Sequence, residues 1–157
     1  MITKSNDAVG DPAAAERGIL DQQLAAKMGI VFELQSPELV VATMPVAGNL
    51  QPFGLLHGGA NAVLAESVGS VAAFLNSRGH GIAGQELSCS HHRPALSGRV
   101  TAVCTPVHIG RTSSSFDVVI TDDQGRRTCT ARLTCAVLVP RAKTSDSCEF
   151  RNYLRVS

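Results

Sequence analysis

Between His57 and Arg78 the sequence carries a single ionisable side chain, Glu66. Its neighbours at helical spacing are Ala62, Val63, Gly69 and Ser70, so no Lys or Arg stands one turn away to balance it. An ionised carboxylate in apolar surroundings is costly unless paired or hydrogen-bonded, and Ser70 is placed to donate such a bond. A charge kept in such a place marks either a partly exposed helix face or a working site. The segment upstream favours the second. In Gln51-Pro52-Phe53-Gly54-Leu55-Leu56-His57-Gly58-Gly59 two glycines stand directly before the expected helix. The first amides of a helix have no partners inside it and carry a partial positive charge. Without side chains on Gly58 and Gly59, a substrate oxygen can approach those amides closely. His57 and Gln51 add polar groups at the same mouth. Helix-start amides, a His, a Gln and a carboxylate two turns on suit attack on a carbonyl whose oxygen becomes negative.

These residues need a rigid frame, and the hydrophobic pattern supplies one. Residues 1–11 are polar and read as a mobile N-terminus. From Pro12 to Met28 the residues favour helix, with Ile19, Leu20, Leu24 and Met28 on one face and Gly29 at the exit. Strands are expected over Ile30–Gln35 and Leu39–Val46, separated by the turn Ser36-Pro37. The glycines and Pro52 make Ala47–Gly59 a shaped loop. Ala60–Asn76 is apolar nearly all round, as a helix buried on most sides must be, and Arg78-Gly79-His80-Gly81 ends it. The period then changes to two: Val100, Ala102 and Cys104; Phe116, Val118 and Ile120; Cys129, Ala131, Leu133, Cys135 and Val137. Asp122-Asp123-Gln124-Gly125 is the turn between the last two strands. Residues 141–157 read as a polar tail. Runs of strands, not strict strand–helix alternation, predict an α+β fold: a curved antiparallel sheet of five or six strands around one long helix.

Composition narrows the function. The 157 residues fit one domain, taken as residues 12–140, and 44% hydrophobic against 17% charged residues describe a globular chain. No run approaches the roughly 18 apolar residues of a membrane span, and the N-terminus lacks a signal peptide's apolar stretch, so residence in the cytoplasm without membrane attachment is expected. A net charge of +1 and 4% aromatics argue against nucleic acid as a partner. Residues 1–90 hold 4 basic and 8 acidic side chains and residues 91–157 hold 10 and 5, an imbalance that fits a small anionic ligand held by the second half. The five cysteines (Cys89, Cys104, Cys129, Cys135, Cys148) show no metal-ligand spacing and read as reduced, structural thiols, so neither metal nor cofactor is expected.

LLHGGANAVLAES resembles the HGG-x₆-E signature of hotdog-fold acyl-CoA thioesterases of the 4-hydroxybenzoyl-CoA thioesterase group, which carry a catalytic Glu on the central helix. The closer likeness is to the PaaI-like branch that includes 1,4-dihydroxy-2-naphthoyl-CoA thioesterases of menaquinone synthesis and an aryl-carrier-protein proofreading thioesterase. It spans roughly residues 28–139 and includes QPFGLLHGGA, the HHRP at His91–Pro94 and the HIGR at His108–Arg111. The resemblance implies a role for each position. Glu66 would be nucleophile or general base, and the Gly59 N–H the oxyanion donor. Gln51 and His57 would orient the thioester, and Ser70 would position water or the acyl group. Gly84, the run His91, His92, Arg93, Pro94 and the run His108, Ile109, Gly110, Arg111, Thr112, Ser113 would hold coenzyme A. It also implies a homodimer or homotetramer with sites across the dimer interface. The expected reaction is hydrolysis of an aromatic acyl-CoA of naphthoyl or hydroxybenzoyl type. A phenylacetyl-CoA or medium-chain salvage hydrolase and a non-catalytic acyl-CoA binder remain open. Burial should raise the Glu66 pKa while the helix dipole and Ser70 lower it, leaving it ionised at neutral pH.

Overall fold

A computed structural model describes residues 23–138. The Pro12–Gln22 part of the first expected helix, the N-terminus and the tail lie outside the described residues. The elements run α1 (Gln23–Lys27), β1 (Val31–Gln35), β2 (Val40–Pro45), α2 (Gly58–Asn76), β3 (Gly81–His91), β4 (Arg99–Ile109), β5 (Ser113–Asp122) and β6 (Arg127–Leu138). Six strands form one antiparallel sheet in the order β1-β2-β4-β5-β6-β3, with α2 lying across it. The class and the single long helix agree with the sequence.

Each element follows from its local chemistry. Gly29, at φ +69°, ends α1 where only a glycine is at ease. The buried residue of α1 is Ala25, while Leu24 is 56% exposed. Of the apolar face expected, Met28 packs against the core while Leu24 is exposed, and Ile19 and Leu20 lie outside the described residues. His57 caps α2: its backbone is extended and its side chain accepts the Gly59 N–H, so the helix begins at Gly58, two residues earlier than the sequence suggested. Arg78 and Gly79 take positive φ and close it. The Asp122–Gly125 turn forms as expected, with Gly125 N–H donating to Asp122 O and Asp122 Oδ1 accepting from Gln124 and Arg126 N–H.

The core is built where strand period and helix meet. Val40, Ala42 and Met44, Val100, Ala102 and Cys104, Phe116, Val118 and Ile120, and Cys129, Leu133 and Cys135 all point inward and are buried. Leu64, Ala65, Val68, Gly69, Ala72 and Ala73 fill the facing side of α2. A Cβ on Gly69 would lie 2.4 Å from Leu133 Cδ2, so helix and sheet approach at that point only because residue 69 has no side chain. At 19 residues with mean hydropathy 1.2, α2 does reach the length and hydropathy of a bilayer-crossing helix. This corrects the reading of the sequence; here the helix is the core helix of a sheet. Its other side (Ala62, Val63, Glu66, Ser67, Ser70 and Phe74) is only half-buried, so one sheet does not wrap it completely.

Candidate active site

The start of α2 forms one wall of a cleft of about 690 Å³, lined by Gln51, Pro52, Leu55, Leu56, His57, Gly58, Asn61 and the run His91–Ala95. The loop before the helix is pinned to both of its neighbours. His57 N–H donates to Asn49 O and Leu56 N–H to Ala95 O, each at 2.9 Å, which holds the mouth against the segment after β3. Gln51 Oε1 accepts the Phe53 N–H at 3.1 Å, leaving the Gln51 –NH₂ free to donate into the cleft. His92 and Arg93 are fixed by backbone bonds to Thr128 O, and the His92 ring meets the Thr130 hydroxyl.

The two glycine amides are not equivalent. The Gly59 N–H donates to His57 Nδ1 at 2.8 Å. The Gly58 N–H has no partner among the described residues, so it is the amide open to an incoming oxygen. Nothing in the sequence distinguishes the two, because the difference lies in the rotamer of His57.

Glu66 sits two turns further along α2, half-buried, outside the cleft. Its carboxylate rests against the backbone of β3, where a Cβ on Gly84 would be 2.4 Å from Oε1. Gly84 borders an irregularity in the β3–β6 register, between Gly84 and Glu86. The bulge and the missing side chain together make room for the carboxylate. Gly84 therefore lies against Glu66, a contact that the coenzyme A role implied for it did not anticipate. Burial pushes the Glu66 carboxyl above its usual range. Ser70 makes no bond to it among the described residues, so the hydroxyl donor expected from helical spacing is not there to lower the pKa.

The two expected coenzyme A segments lie apart. His91 pairs with Cys129, whereas the β4–β5 hairpin from His108 to Ser113 meets the far end of β6, where Ser113 pairs with Ala136. Gly81 pairs with Leu138 at that same far end. Within one chain the runs 91–94 and 108–113 thus stand at opposite ends of β3. In the hairpin Gly110 N–H donates to Ser113 O, and Gly110 packs against the His108 ring.

Asn61 was missed by the sequence reading. It is 5% exposed, its Nδ2 lies 3.4 Å from His91 Nδ1, and its Oδ1 is buried with no partner. An Asn in an otherwise apolar turn was the signal available. The three fully buried cysteines among the described residues are poor nucleophiles: burial pushes the Cys104 and Cys129 thiols up to about 12 and Cys135 to about 11. Among the described residues no group of three or more His, Cys, Asp or Glu could hold a metal ion.

A long helix crossing a six-stranded antiparallel sheet, with a carboxylate on the helix and a free amide at its start, defines a hotdog-fold hydrolase. The comparisons agree: residues 53–129 match the thioesterase superfamily model. The chain is 51% identical to the proofreading thioesterase EntH of Cronobacter sakazakii over 113 residues, which is 71% of this chain and 82% of that one. It superposes on thioesterase PA1618 of Pseudomonas aeruginosa with a TM-score of 0.71 at 38% identity, covering 87% of this chain and 98% of that one. A hypothetical thioesterase of Streptococcus pneumoniae, solved with coenzyme A, gives 0.71 at 25% identity over 80% of this chain and 98% of that one. The chain belongs to the thioesterase superfamily, as a hotdog-fold acyl-CoA thioesterase of the PaaI-like kind, and is a thioester hydrolase.

Proposed function

We propose that this thioesterase hydrolyses aromatic acyl thioesters, with Glu66 as the reacting carboxylate. The observation that carries this reading is Glu66 itself: an unpaired, half-buried acid held against a strand that makes room for it by having glycine at 84. A residue kept charged there at a cost to stability is accounted for by chemistry. The thioester carbonyl oxygen accepts a bond from the free Gly58 N–H. That replaces Gly59, whose amide would first have to release His57. Glu66 then either attacks the carbonyl carbon, expelling the thiolate and leaving a mixed anhydride for water to cleave, or takes a proton from the attacking water. Gln51 and the His57 Nε2–H supply further donors at the mouth, and Ser70 faces the same half-buried side as Glu66.

The site is assembled from two copies in this reading. Gly58 and Glu66 of one chain stand about 12 Å apart along the helix axis, too far for one thioester group to touch both. β3 is 11 residues long and sits at the sheet edge with an open side. Antiparallel pairing of two such edges would set the 91–94 end of one copy beside the 108–113 end of the other, joining the two coenzyme A segments that one chain holds apart. Glu66 of one copy would then work with the Gly58 amide of its partner.

The relatives are named proofreading thioesterases, a name that specifies no acyl group, so the aryl preference rests on the resemblance carried by LLHGGANAVLAES. The comparisons lend nothing to a place in menaquinone synthesis. Free coenzyme A released from aryl and alkyl acyl-CoAs, separated by chromatography, tests the reading. Wild type should prefer the aryl esters. Retention of the esters without turnover would make the protein a binder, and preference for medium-chain esters would make it a salvage hydrolase.

A further inference from the structure

We infer that Asn61 is a positioning residue that fixes the orientation and tautomer of His91, so that the His91 Nε2–H is presented beside the Gly58 amide as a second donor for the thioester oxygen. The inference rests on the proposed function for its catalytic meaning but not for its geometry. With the amide turned as in the structure, Asn61 Nδ2 faces His91 Nδ1 at 3.4 Å, so the –NH₂ donates and Nδ1 is the unprotonated acceptor; the opposite turn would set Oδ1 there and call for an Nδ1–H, the form that the test below distinguishes. With Nδ1 as acceptor, the proton of the neutral ring sits on Nε2. That nitrogen lies against the start of α2, where a Cβ on Gly58 would be 3.0 Å from it. Glycine at 58 therefore does two things: it leaves its own N–H open, and it lets the imidazole come up beside it. His57 obeys the same rule, since its Nδ1 accepts the Gly59 N–H and its Nε2 carries the proton. The His91 Nε2 and the Gly58 amide thus lie side by side at the wall of the cleft that His57 also lines.

Asn61 holds this arrangement at a cost. It is 5% exposed and its Oδ1 is buried without a partner, the one such side-chain atom among the described residues. A buried acceptor left unpaired destabilises the fold, and an apolar side chain of similar size would not. A residue placed for packing alone would have been better as Leu. The second observation agrees, because the paired half of the amide points to the His91 ring and the ring to the site.

The test is a two-bond ¹H–¹⁵N spectrum of the histidine rings, with His91→Gln identifying the His91 signals by their loss. Wild-type His91 should be in the Nε2–H form, and Asn61→Leu should show both tautomers. Asn61→Leu should melt at the same or a higher temperature. On the preferred acyl-CoA its kcat should fall about 2- to 10-fold, because the ring loses its fixed orientation and part of the Nε2–H form while the rest keeps the donor, with KM within about twofold. An Nδ1–H form in wild type would overturn the inference, whether or not the variant folds. So would a mixed tautomer in Asn61→Leu with kcat unchanged, or a lowered melting temperature with tautomer and kcat intact. A wild type that hydrolyses no thioester would overturn the proposed function and leave the tautomer result standing.

Discussion

β5 and β3 are nearly equal in length, at 10 and 11 residues, and both lie over α2, yet their burial could hardly differ more. Every second residue of β5 is buried, from Ser114 through Phe116, Val118 and Ile120 to Asp122. In β3 no residue is: Ile82, Leu87 and Cys89 face inward and are only half-buried. The difference comes from place in the sheet and not from propensity. β5 has a neighbour on each side, whereas β3 is bonded to β6 alone. The β5 region is finished by one chain; the β3 region is not, and Glu66 leans on the unfinished one. Substitutions in the first should cost stability, and substitutions in the second should cost turnover.

The largest effect is expected at Glu66. Glu66→Gln keeps the shape and removes the nucleophile or base, so kcat should fall about 10³-fold while product binding is kept. Gly58→Pro is the companion variant. Proline is tolerated at the first helical position, and the extended backbone of His57 suits a following proline, so α2 should persist without the amide, while the new Cβ, 3.0 Å from His91 Nε2, also moves that imidazole aside. Its kcat should fall about 10²–10³-fold. Mixing the two inactive proteins and allowing the subunits to exchange then tests the two-chain site. Random pairing returns one intact site in half of the dimers, and activity should recover to about a quarter of wild type. Recovery absent under demonstrated exchange would put both groups in one chain.

Leu133→Ala is the opposite probe. Leu133 is fully buried and packs against Gly69 at the closest approach of helix and sheet. Denaturant unfolding should show a loss of about 3 kcal/mol, with kcat/KM below the melting transition within a few-fold of wild type. A collapse of kcat/KM with stability intact would erase the distinction between the two regions.

Legibility in the sequence followed the same divide. The α2 span, the Asp122–Gly125 turn and the alternation of β5 and β6 are local patterns, and residues a few positions apart reveal them. The Gly84 contact with Glu66 depends on a register irregularity across two strands, and no count of residue types exposes that. His91–Pro94 and His108–Ser113 were grouped by resemblance, but their placement at opposite ends of β3 is a property of topology. Which amide is free at 58 and 59 depends on the His57 rotamer. Asn61 was passed over because a single amide in an apolar turn reads as an ordinary helix position until its partner, 30 residues on, is known.

The smallest effect concerns Glu66 again, read as stability. Burial raises its pKa in the folded protein above the ordinary carboxylate value, and no ion pair among the described residues opposes this. The fold therefore favours the protonated form. That contribution is fully present below the unfolded-state pKa and is lost as pH rises through the raised folded value. At neutral pH the ionised side chain is a burden that Gln does not carry. Glu66→Gln should melt at the wild-type temperature near pH 4 and slightly above it near pH 7, the gap opening between those values. The turnover of wild type should share this limb, rising with pH as Glu66 ionises, with a midpoint above that of a free carboxylate. Equal melting temperatures at both pH values would mean that the site beside β3 is as well solvated as an open surface. The contrast with β5 would then concern packing alone.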